Sequence, residues 1–149
     1  MKQILFLCSI FFFLLPSFSF ATPVLILSNQ PHAFYTDLDA AKNIRYDPPY
    51  YTLEGVIISQ DYTNDTTTHI TYRFMYDIRT IQVQARPIKA YSYTTTTHDM
   101  LYNEDTLYNY NITTITNKNN TLGVAADIYF KYFYIKPFYD TALDTIKCI

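Results

Sequence analysis

Tryptophan is absent from this chain, and glycine occurs only twice in 149 residues. Two glycines cannot build a phosphate-cradling loop, and no GxSxG, HExxH, P-loop or Rossmann pattern is present. So little glycine also excludes a collagenous or linker-like chain. A basic excess is missing as well: 11 Lys+Arg stand against 13 Asp+Glu, a net charge of −2. That balance excludes the electrostatic footprint of nucleic-acid binding. The histidines, His32, His69 and His98, are far apart and fit no metal-ligand spacing. Asp37 with Asp39, and Glu104 with Asp105, offer too few oxygens for a calcium loop. The expectation is a non-enzymatic protein, with no catalytic residues, no cofactor and no metal site.

Cysteine is nearly absent too, and its placement depends on how residues 1–21 are read. Lys2 supplies a positive start, and Ile4 to Leu15 is apolar except for Ser9. Pro16 and Ser17 break the run, and Ser19-Phe20-Ala21 places small residues at −3 and −1 of a signal-peptidase site. The 12-residue run is short against the roughly 18–20 residues of a spanning helix. Residues 1–21 therefore read as a cleaved signal peptide, leaving 22–149 as a single domain with no transmembrane span. An exported protein is implied, periplasmic, extracellular or at the cell surface. Cys8 departs with the leader, so Cys148 has no internal partner. It reads as a small apolar residue near the C-terminus, or as the link in a covalent homodimer.

Removing the leader changes the composition. The remaining 128 residues carry 10 Lys+Arg against 13 Asp+Glu, a charge of −3. Hydrophobic residues fall to 58, of which 16 are tyrosines. Tyrosine must supply much of the packing, with each hydroxyl hydrated or hydrogen-bonded.

Between 22 and 121 the pattern is that of strands. Val24 to Leu27 is a short apolar run, and Ala33 to Thr36 is a weak strand ended by Asp37-Leu38-Asp39. Asp47-Pro48-Pro49 interrupts the chain, because proline removes donors and restricts the residue before it. Tyr50 to Tyr62 carries the β-branched run Val56-Ile57-Ile58. Gly55 within it marks a bulge or a close neighbour. Thr63 to Thr66 has turn chemistry. Ile70, Tyr72, Phe74 and Tyr76 then alternate with Thr71, Arg73, Met75 and Asp77, the period of a half-buried strand. Thr80 to Tyr93 places Ile81, Val83 and Ala85 opposite Gln82, Gln84 and Arg86. Pro87 shifts that phase, so Ile88 and Ala90 continue the apolar face after a bulge. Ile112 and Ile115 suggest a weaker strand. His69 falls on the threonine side of its strand, a solvated face.

Residues 122–149 change period. Val124, Ile128, Phe130 or Tyr132, and Ile135 fall at helical spacing, and Asp127 and Lys131 form an i,i+4 pair. Thr121 is the expected cap, Lys136-Pro137 the stop, and Asp140 the cap of a last turn through Ala142, Leu143 and Ile146. The fold class is α+β: one antiparallel meander with a C-terminal helix against one face.

Tyr46, Tyr50 and Tyr51 surround the proline pair and form the candidate binding patch, since tyrosine gives large contact area at low entropy cost. The competing reading is a tyrosine-built core. Asn43 to Tyr51, Tyr72 to Asp77, and Ala125 to Phe130 followed by Pro137-Phe138 resemble segments of small exported proteins of Veillonella-type (Negativicutes) bacteria. That resemblance spans roughly 34–139 and implies no activity. A weaker likeness joins Thr80 to Gln84 and Cys148 to the surface-adhesin protein E family. It implies an exported antiparallel sheet with a C-terminal helix that binds host matrix proteins. That family's partner cysteine would fall near Ile78. The expected role is therefore a bacterial adhesin-like protein that binds another protein or an envelope component through an open sheet face or edge, and that forms a homodimer there. The alternatives are a small periplasmic hydrolase whose site assembles only in the fold, and an inhibitor or immunity-type partner protein.

Overall fold

The computed structural model describes residues 23–104 and 110–140. The expected signal peptide, Asp105, Cys148 and the expected last-turn residues Ala142, Leu143 and Ile146 lie outside that range. Within it, the chain runs β1 (Val24–Asn29), β2 (His32–Asp47), β3 (Tyr50–Asp61), β4 (Thr66–Asp77), β5 (Gln82–Thr94), β6 (Met100–Glu104), β7 (Thr113–Thr114) and α1 (Thr121–Tyr134). The first six strands form one open antiparallel sheet in chain order, and β7 also pairs with β5. This is the expected meander with a C-terminal helix packed against it.

The alternation in β4 sets the inner face. Phe74 and Tyr76 are buried, and Tyr72 packs partly against the same core. Across the ladder, Phe74 stands between Leu53 and Ala85, and Tyr76 between Tyr51 and Val83. The phase shift at Pro87 is real. The β4–β5 register breaks between Thr71 and Tyr72, with Lys89 and Pro87 as partners, and Ala90 returns to a buried position.

Two strands differ from expectation. Asp37 does not end β2, which continues to Asp47 with irregular pairing between Asp37 and Lys42. The Asp37 carboxylate accepts from the Asp39 amide at 3.0 Å and the Ala40 amide at 3.4 Å, so the bulged backbone is satisfied locally. The fifth strand begins at Gln82, because Ile81 sits in the preceding turn with φ 51°. The weak strand at 112–115 shrinks to β7, while Ile115 donates its amide to the Val83 carbonyl at 2.8 Å and is buried.

The helix exists where its period suggested, but a different stripe faces the sheet. Gly123, Ala125, Ala126, Tyr129 and Phe130 are buried, whereas Tyr132 and Ile135 are exposed. Small residues let the helix lie close to the sheet. Gly123 meets the loop before the helix instead, where a methyl would lie 2.5 Å from the Asn117 carbonyl oxygen. Its cap is Asn120 rather than Thr121, the Asn120 side chain accepting from the Gly123 amide at 2.8 Å. Asp127 does not pair with Lys131. Its carboxylate instead accepts from the Phe138 amide at 3.1 Å and ties the returning chain to the helix.

Tyrosine does enter the core, and the hydroxyls of Tyr76 and Tyr129 find partners there. Tyr76 donates to the Ala126 carbonyl at 2.8 Å, and burial pushes its phenol well above the usual value. Tyr129 lies over Gly55, donates to the Val56 carbonyl at 2.7 Å and meets the Thr36 hydroxyl. Gly55 is thus the close neighbour anticipated from sequence. Its strand keeps continuous register with β4, so the glycine makes no bulge there.

Candidate functional site

Strand pleating sends alternate side chains to opposite faces, so one register fixes which residues share a surface. The face away from the helix collects two adjacent rows. One row runs Tyr35, Ile58, His69 and Tyr91 across β2 to β5. The next runs Gln60, Thr67 and Tyr93 across β3 to β5.

The rows carry a stack of rings. His69 lies 4.6 Å from Tyr91 at 14° and 5.7 Å from Tyr93 at 33°. Tyr93 stacks in turn on His98, 5.5 Å away at 16°. The His69 Nε2 atom is 3.3 Å from the Tyr93 hydroxyl. His98 reaches this position from the turn after β5, where its φ is 62° and its amide donates to the Thr94 carbonyl at 2.7 Å. That turn is fixed to the β3–β4 turn. Thr95 donates its amide to the Asp65 carbonyl at 2.8 Å, and the Thr67 and Thr95 hydroxyls meet at 2.8 Å.

Beside the stack is a half-open cavity of about 390 Å³, lined by Pro23, Tyr35, Ile58, Gln60, Thr67, His69 and Tyr93. The walls are aromatic, Tyr35 on one side and His69 with Tyr93 on the other. Ile58 and Thr67 lie between them. At the rim the Tyr62 hydroxyl donates to Gln60 at 3.0 Å and lies 3.4 Å from the Tyr35 hydroxyl. Among the described residues, no charged side chain lines the cavity.

Burial holds the His69 imidazole below its usual value, opposed by the Asp37 carboxylate. The fold thus favours the neutral ring. That preference is fully present above the unfolded value of about 6.5 and is lost as pH falls through the lower folded value. His69→Phe keeps a stacked ring without the titration. Its thermal midpoint is expected to fall less than that of the wild type between about pH 7.5 and pH 5. Identical pH dependence, measured by circular dichroism melts, would refute this role.

The tyrosine patch expected near the prolines is divided by the pleat. Tyr46 and Tyr51 pair across β2 and β3 on the helix side, with ring centroids 5.5 Å apart. Tyr51 is 8% exposed and packs on Phe130 and Tyr134. Tyr46 is 65% exposed and touches Tyr134. Tyr50 points to the opposite face, under the Arg79 guanidinium at 4.9 Å. A second depression of about 340 Å³ on that face holds Tyr50 with Arg45, Met75 and Gln84. By sequence alone His69 falls on a solvated strand face and Tyr93 at a strand end. Their adjacency was available only through the β4–β5 register.

Among the described residues, no group of three or more His, Cys, Asp or Glu side chains is placed to hold a metal ion. No helix among them is long and apolar enough to cross a membrane. Comparison with protein-family models, with curated proteins and with solved structures finds no match.

Proposed function

We propose that the protein is an exported, non-enzymatic binding protein of the cell envelope or exterior, and that it engages its partner through the helix-free face of the sheet. The observation that carries this reading is the ring stack of Tyr91, His69, Tyr93 and His98 beside an aromatic-walled cavity. Tyrosine and histidine rings fixed by stacking give contact area with little ordering cost on binding. The His69 Nε2 atom faces a tyrosine hydroxyl, which fixes the ring within the stack. Export itself rests on the leader at 1–21, and the adhesin-like role on the resemblance to exported surface proteins.

The test is a capture experiment with envelope and host-matrix fractions, using the wild type and two variants. Tyr35→Ser with Tyr93→Ser alters the cavity face, while Tyr132→Ser alters an exposed position on the helix. The wild type and Tyr132→Ser are expected to retain the same partner, and the cavity variant is expected to lose it. Equal capture by all three would overturn the assignment to this face.

A further inference from the structure

We infer that the cavity between Tyr35 and the His69–Tyr93 wall receives one neutral sugar ring of a glycan. This rests on the binding-face reading above and specifies its ligand.

Tyr35 on β2 and His69 on β4 are two strand spacings apart, about 9.5 Å. Ile58 stands between them in the same row, and carbon atoms in contact lie about 3.5–4.0 Å apart, so the space above Ile58 is about one ring wide, with a wall on each side. The volume of about 390 Å³ falls at the lower end of small-ligand sites, roughly 300–1,000 Å³.

A pyranose presents flat C–H faces and a girdle of hydroxyls. The cavity offers the complement: Ile58, Pro23 and ring surfaces, with polar ends on Tyr35, Gln60, His69 and Tyr93. The Tyr35 and Tyr93 hydroxyls keep spare donor or acceptor capacity beyond the contacts they already make. A purely apolar ring would leave that girdle without partners from the ligand.

Among the described lining residues, an anionic or cationic sugar would meet no oppositely charged side chain. The charges acting on the ring stack from nearby, Asp37 and Lys89, have opposite signs and both lie off the cavity lining.

Saturation-transfer NMR on the full chain tests this, with lactose, cellobiose and N,N′-diacetylchitobiose as neutral probes. Sialyllactose serves as the charged probe and indole as the aromatic one. At least one neutral disaccharide is expected to bind with Kd of about 1 mM and to shift the His69 ring protons. Tyr93→Ala and Tyr35→Ala are each expected to weaken it about tenfold or more, and Tyr132→Ala to leave it unchanged. Tyr93→Phe keeps the ring and the fold, and is expected to lose affinity by a smaller factor. The inference is overturned if none of the neutral probes binds, if the cavity variants bind as the wild type does, or if sialyllactose or indole binds there more tightly. Loss of partner capture in the Tyr35/Tyr93 variant without any sugar binding would sink the glycan alone and leave the binding face standing.

Discussion

Gly55→Ala is expected to lower stability by about 3–5 kcal/mol, from overpacking and the loss of buried hydrogen bonds. A methyl at this position would fall within the ring of Tyr129, which lies on the strand at 0% exposure. The ring has nowhere to withdraw, since it is held against Phe74 at a centroid distance of 5.5 Å. Moving it breaks the bond to the Val56 carbonyl and the contact with Thr36. Urea unfolding followed by circular dichroism measures the loss. The mechanism predicts strong coupling, so Gly55→Ala should cost much less when Tyr129 is already alanine. Additive costs in that double-mutant cycle would show that the ring is not the obstacle.

This contact illustrates which parts of the fold the sequence made legible. The alternation of Tyr72, Phe74 and Tyr76 required a half-buried strand, and the structure has one. Proline at 87 required a break in the ladder, and the register breaks there. The buried stripe of the helix was not legible, because the eye of a periodicity argument goes to Val124 and Ile128. The buried residues of the helix include Gly123, Ala125 and Ala126, chosen for smallness rather than hydrophobicity. Close approach is what brings Tyr129 within reach of Gly55. The continuation of β2 was hidden for a related reason. Asp37 looks like a terminator, yet its side chain bonds the next backbone amides and lets the strand resume.

The candidate site followed the same logic. Tyr46, Tyr50 and Tyr51 are neighbours in sequence, but Tyr50 and Tyr51 are consecutive strand residues and so face opposite ways. Tyr35, His69 and Tyr93 are distant in sequence and neighbours by register. Hairpin register depends on turns and bulges, and the irregular stretch between Asp37 and Lys42 defeats simple counting along β2.

Phe130→Ala is expected to cost about 3–5 kcal/mol, the range for a large aromatic deleted from a core. Phe130 is 1% exposed and its ring centroid lies 5.3 Å from Tyr51, 5.0 Å from Tyr76, 4.7 Å from Tyr134 and 5.3 Å from Phe138. Two of those partners come from the sheet, one from the helix itself and one from the chain that returns after it. The ring is therefore the point at which helix, sheet and C-terminal segment meet. Tyr76 adds to the effect, because its hydroxyl bonds the helix carbonyl of Ala126 and depends on the same docking. A domain of this kind has a total stability of about 5–15 kcal/mol, so the variant would be left marginal. Tyr132→Ala is the matched control, two residues away and 50% exposed, and is expected to change stability by less than about 0.5 kcal/mol. Urea titrations of both variants decide the matter. A loss below about 1 kcal/mol for Phe130→Ala would mean that the helix docks by its small residues and Tyr129 alone.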